Sequence, residues 1–170
     1  FRPADAKETA AGWLVALNSK ETPVTLALSR KNLDQLANSS KLAMKGAYVL
    51  SEAKQEPQGV LIASGSEVSL ALKAQEALEQ EGVHVNVVSM PSQELFDQQE
   101  ESYRESVLPK ALGKRLAIEA GSPLSWYKYV GLEGDVIGIE TFGASAPGDR
   151  IFKEYGFTVE NVVSRFKELI

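Results

Sequence analysis

Arginine at the end of a buried strand is well suited to grip a phosphate, because its planar fork of donors matches two oxygens at once and keeps its charge at physiological pH. The run Val24-Thr25-Leu26-Ala27-Leu28-Ser29 leads into Arg30 in that way. Little of the run is polar, so it reads as a strand covered on both faces. Parallel sheets bind their ligands at the carboxyl ends of their strands, which makes Arg30 the first candidate, as a phosphate clamp. The competing reading is a surface arginine paired with a nearby carboxylate.

A second candidate is the turn Ala63-Ser64-Gly65-Ser66-Glu67, where the amides and hydroxyls of Ser64, Gly65 and Ser66 could hold an anion at a helix N-terminus. It has neither a P-loop lysine nor the third glycine of a dinucleotide fingerprint. Glu67 also brings a negative charge that satisfies the helix dipole without a ligand, which favours a capping role. Ser145 lies in another strand-to-helix turn, but a nucleophile elbow needs glycine where Pro147 stands, and His84 belongs to a strand beside Val83 and Val85 with a solvent-facing role expected. Hydrolase chemistry is set aside on those grounds. Glu119 and Glu140 each end a strand and read as paired acids or as solvated carboxylates. Trp126, Tyr127, Tyr129 and Phe142 form an aromatic concentration that suits either an interface or packing onto a sheet.

The elements that must position these residues change character along the chain. Asp5 and Glu8 have capping-box spacing, and Ala10, Trp13, Leu14 and Leu17 recur at helical intervals, which predicts a helix over 5–18 with one buried stripe. That helix and the 24–29 strand cannot bury their own faces and must lean on something else. Weak periodicity and the polar Asn38-Ser39-Ser40 mark a linker, and the domain boundary is placed there, dividing 1–45 from 46–170. Strands are expected at 47–52, 60–63, 83–90, 115–119 and 135–140, the first two joined tightly enough to pair antiparallel. Helices are expected from Gly65 to Gly82, from Pro91 through Phe96, at 123–130, at 148–155 and at 159–169, with Thr158 as the last N-cap. Such alternation predicts an α/β domain of three layers, α/β/α, around a mixed, mostly parallel five-stranded sheet.

Composition narrows the function further. The chain has 170 residues, 44% of them apolar, which is enough for a real core. Its net charge of −5, with 18 Lys and Arg scattered along it, gives no footprint for nucleic acid. The lack of cysteine and the single histidine, His84, exclude disulfides, thiolate chemistry and a His cluster for metal. No apolar run reaches the roughly 18 residues of a membrane span, so a cytoplasmic location is expected, without membrane partners. The chain opens on Phe1 without an initiator Met, as a fragment or processed product would.

Read together, several stretches resemble the C-terminal third of transketolases: Phe1-Arg2-Pro3-Ala4-Asp5, Leu26-Ala27-Leu28-Ser29-Arg30, Ala63-Ser64-Gly65-Ser66-Glu67-Val68 and Val87-Val88-Ser89-Met90-Pro91-Ser92. Tyr103-Arg104-Glu105-Ser106-Val107-Leu108-Pro109, Glu119-Ala120-Gly121, Trp126-Tyr127-Lys128-Tyr129-Val130-Gly131, Thr141-Phe142-Gly143-Ala144-Ser145-Ala146-Pro147 and Tyr155-Gly156-Phe157-Thr158 continue the match in the family's order. The resemblance implies that 1–45 is a helix-strand remnant closing the pyrimidine-binding domain, and that 46–170 is the C-terminal domain. It implies a cytoplasmic homodimer that moves a two-carbon ketol unit between sugar phosphates in the pentose phosphate pathway, using thiamine diphosphate and Mg2+ or Ca2+. Arg30 takes the family's substrate-phosphate contact, and Lys31 stands where the family pattern has Gln.

The same resemblance leaves the Gly-Asp-Gly cofactor segment, the activating Glu and the substrate histidines upstream of Phe1, and His84 matches none of them. The implied role is therefore one substrate contact plus dimer area, with no catalytic residue and no cofactor or metal bound by these residues alone. The rivals are a stand-alone anion-binding regulatory module, and the equivalent domain of a deoxyxylulose phosphate synthase or of a 2-oxo-acid dehydrogenase β subunit. The Leu28-Ser29-Arg30 and Trp126-Tyr127-Lys128-Tyr129 stretches favour transketolase over the latter two.

Overall fold

The computed structural model describes all 170 residues, Phe1–Ile170. Helix α1, Ala6–Asn18, begins where the extended Asp5 turns its side chain to accept the Glu8 amide at 2.9 Å. The apolar stripe expected on this helix is not buried. Ala10 is exposed, Trp13 and Leu17 are 55% and 78% exposed, and the buried positions are Glu8, Ala11 and Gly12. The small side faces inward because the chain comes close there: a Cβ on Gly12 would stand 2.7 Å from Leu26 and 2.9 Å from Phe1.

The strand expected at 24–29 is also corrected. These residues join no sheet. Their ladder consists of the Phe1 ammonium donating to the Thr25 carbonyl at 2.8 Å and the Ala27 amide donating to the Phe1 carbonyl at 2.9 Å. One partner residue is too short to make a sheet edge, whatever the strand propensity of the run. A 3-10 turn at Lys41–Lys45 leads into the sheet.

The strands are β1 Tyr48–Ser51, β2 Gly59–Ala63, β3 Val85–Ser89, β4 Arg115–Ile118 and β5 Asp135–Ile137, in the order β1-β3-β2-β4-β5. Five strands with one antiparallel member match the sequence reading, but the antiparallel pair does not. β1 pairs with β3, and β2 lies parallel to both β3 and β4. β2 is buried along its whole length and takes the centre, whereas β1 alternates buried with half-buried and suits an edge. Helix α2, Glu67–Gln80, and the closing α7, Val159–Lys167, cover one face, where Leu61, Val87 and Leu116 meet Ala71, Leu78, Val162 and Phe166.

On the other face, α3 Gln93–Asp97, α4 Glu101–Val107 and α5 Tyr127–Val130 pack Phe96, Val107 and Tyr129 on Val60, Ile62, Val88 and Ala117. Alternate residues of β2 thus enter opposite cores, and the three-layer α/β/α domain is as expected. Helix α4 had no expectation behind it, and its start shows why: Glu100 caps no amide with its side chain. Helix α6, Gly148–Glu154, follows the turn that carries Ser145. His84 precedes β3, half-buried, and Ser145 follows β5, exposed, so parallel strands hold them at opposite ends of the sheet.

Candidate functional site

The carboxyl ends of β2 and β4 point toward the start of the chain. The Arg2 amide donates to the Pro91 carbonyl at 2.7 Å, and the Gly65 amide donates to the Arg2 carbonyl at 3.1 Å, so residues 1–2 cross the sheet's edge as a strap. The Arg2 guanidinium then bonds the Ser64 carbonyl and hydroxyl, both at 3.0 Å, pairs with Glu119 at 2.8 Å, and pairs with the fully buried Glu67. Burial works against the charge on Arg2, but Glu67 and Glu119 outweigh it and raise its pKa. Burial raises the Glu119 pKa, with Arg2 and Ser64 pulling the other way.

Ser64, Gly65 and Ser66 lie inside this cluster. The Ser64 hydroxyl donates to Glu119 at 2.8 Å, the Ser66 hydroxyl donates to Glu67 at 2.5 Å, and the Gly65 amide is taken by Arg2 as above. The Ala120 amide donates to Glu67 at 3.2 Å. Two carboxylates beside one guanidinium make the surroundings of this turn net negative, and its two hydroxyls and the Gly65 amide are engaged within the chain. Glu119 is paired through Arg2 with Glu67, while Glu140 stands exposed and apart from the cluster.

A second polar cluster holds α1 and the linker. Glu8, fully buried, accepts from the Ala4 amide at 2.7 Å, the Tyr48 hydroxyl at 2.8 Å and the Ser89 hydroxyl at 2.6 Å. Its pKa is raised by burial, which those donors partly offset. Asp5 accepts from the Leu36 amide at 3.0 Å and from the Gln35 and Ser39 side chains. Sequence reading gave Asp5 and Glu8 to the cap and passed over Arg2. The available signal was acidic residues at positions that an apolar face must cover, Glu8 and Glu67, since such burial demands a partner.

Arg30 is exposed, and no ion pair or side-chain hydrogen bond within the chain engages its guanidinium. It stands at the apex of a turn that the Ser29 hydroxyl braces by accepting the Lys31 amide at 3.0 Å. A cleft of about 460 Å³ lies between this turn and the start of α1, lined by Asp5 and Thr9 on one side and by Ser29, Lys31 and Asn32 on the other, and Arg30 is not part of its wall. Of the aromatic residues, Trp126 and Tyr129 are buried, with rings 6.3 Å apart, while Tyr127 and Phe142 are exposed. No three His, Asp or Glu side chains lie together as a metal site would need, and no helix is long and apolar enough to cross a membrane.

A family model described as the transketolase-like TK C-terminal domain matches residues 46–158. A transketolase of Streptococcus pyogenes is 57% identical over 99% of this chain and 24% of its own length. A solved transketolase of Pichia stipitis, described as a complex with sedoheptulose 7-phosphate, superposes with a TM-score of 0.93 at 42% identity, over 99% of this chain and 24% of that one. A solved split-gene transketolase, described as an inactive β4 tetramer, gives a TM-score of 0.79 at 25% identity, over 98% of this chain and 56% of its own. The chain spans about a quarter of the length of the curated relatives it matches.

Proposed function

The chain belongs to the transketolase family, and from that premise we propose that it serves as the C-terminal part of a transketolase and supplies the substrate-phosphate contact through Arg30. The whole enzyme would move a two-carbon ketol unit between sugar phosphates, as a cytoplasmic homodimer using thiamine diphosphate and a divalent metal such as Mg2+. When bound, that cofactor supplies the carbanion chemistry. The residues of this chain do not fit it: no metal-ligating cluster is formed, and no Gly-Asp-Gly segment occurs. Their own work is to hold a substrate phosphate and to add structural and dimer surface.

The observation that carries this reading is the state of the two adjacent cations. Lys31 is paired with Asp149, whereas Arg30 has its fork free at the apex of a braced turn. A free guanidinium so held suits a phosphate. The sedoheptulose 7-phosphate described with the Pichia stipitis relative supports the substrate class, and the split-gene relative described as inactive supports a chain that does not catalyse by itself. In the whole enzyme, Arg30→Ala is expected to raise KM for a sugar phosphate about tenfold or more, as loss of a charge-assisted hydrogen bond does. KM for the same sugar without its phosphate should stay put. Equal KM values for wild type and variant on the sugar phosphate would defeat the assignment.

A further inference from the structure

The turn carrying Arg30 is held from both sides of the proposed domain boundary. Ser29 braces it locally. Beyond that, the Lys31 ammonium pairs with Asp149 of α6, and it lies 5.0 Å from the centre of the Phe152 ring of the same helix. The Lys31 stem runs so close over Gly148 that a Cβ there would stand 2.7 Å from it. Phe152 is fixed in turn against Phe157, at 5.2 Å between rings, and packs against the core of the sheet's α2 and α7 face. Lys31 thus ties the turn, through its pair with Asp149, to a helix anchored in the sheet domain.

We propose that Lys31 is a positioning residue for the phosphate contact, with Asp149 and Phe152 of α6 as its anchor, so that the sheet domain helps set how tightly Arg30 grips its substrate. This rests on the reading of Arg30 given above. The pair is exposed, with Asp149 95% open, and its effect is correspondingly modest, about two- to fivefold in affinity.

The test uses the whole enzyme with its cofactor, and steady-state kinetics on one sugar with and without its phosphate. Lys31→Ala and Asp149→Asn should each raise KM for the phosphorylated sugar about two- to fivefold, leaving kcat and the KM for the unphosphorylated sugar unchanged. Lys31→Arg should behave as wild type, and the exchange of Lys31→Asp with Asp149→Lys should recover part of the loss. If Arg30→Ala raises KM for the phosphorylated sugar while both single variants leave it at the wild-type value, the tether has no part in positioning. A rise that is equal for both sugars would make the role purely structural and overturn the proposal. No phosphate-selective effect of Arg30→Ala would remove the premise itself, and the proposal with it.

Discussion

The sheet domain and the first 45 residues are held in place by different forces. Around β2 the chain buries Leu61, Ile62, Val87, Leu116 and Phe166 in two apolar cores, one on each face. The first segment buries mostly small groups there, Ala4, Ala11 and Ala43 with Leu36, packs Phe1 and Met44 half-buried against them, and leaves Trp13, Leu14 and Leu17 in solvent. What fixes it is a set of buried ionic and hydrogen-bonded groups: Arg2 on Glu67 and Glu119, Glu8 on Tyr48 and Ser89, and Asp5 on Leu36 and Ser39. Hydrophobic burial is non-directional and stabilises many arrangements, whereas these contacts accept one geometry. The carboxyl edge of the sheet, where an open α/β domain usually binds a ligand, is crossed by the Arg2 strap. The sheet domain positions its neighbour there.

Removing Arg2 should break this contrast most severely. Arg2→Ala leaves Glu67 buried without its cation, and unfolding in urea should show a loss of about 3 kcal/mol or more. A loss under about 1 kcal/mol would mean that water replaces the guanidinium and that the strap is ornamental to the fold. Glu8→Ala strands the donors of Ala4, Tyr48 and Ser89 and should cost about 2–3 kcal/mol. Glu8→Gln should cost far less, since both hydroxyls can turn to accept from the amide while its oxygen still takes the Ala4 amide. Equal costs for the two substitutions would show that the carboxylate charge, rather than the hydrogen-bond count, holds the helix.

The exposed stripe supplies the opposite case. Leu17→Ser, at a position 78% exposed, should change the stability of this chain by no more than about 0.5 kcal/mol, against the several kcal/mol of a core leucine. A large loss in the urea midpoint would show that the stripe is covered in solution. The smallest effect concerns pH. Burial raises Glu8 above its ordinary value of 4.5, so the folded chain holds that proton more firmly than the unfolded one. Its contribution to stability therefore falls as pH rises from about 4.5 through the raised value, and levels off above it. The stability difference between wild type and Glu8→Gln should drift in that direction, and a drift the other way would place the Glu8 pKa below its ordinary value.

The sheet domain was legible because its signals are local and repeated: apolar runs of strand length, Gly65 and Gly82 around α2, Thr158 capping α7. The pairing partner of β1 was not legible, since a short turn to β2 says nothing about whether β3 will insert between them. The same holds for residues 24–29, whose composition is that of a strand although Phe1 is their only ladder partner. Arg30 stands out as a candidate by residue type and place, although the run before it is no sheet strand. Arg2, 62 residues from Ser64, does not, because an ionic contact of that span leaves no periodicity to read. The Lys31 contact is as silent in the sequence, because its partner Asp149 lies 118 residues away.

An assay of the purified 170-residue chain separates a part that only contacts substrate from one that assembles the carbanion machinery. With a ketose phosphate donor, an aldose phosphate acceptor, and thiamine diphosphate and Mg2+ in excess, no ketol transfer above the protein-free control is expected. Turnover that scales with the amount of chain, in a preparation free of any longer transketolase, would contradict that expectation.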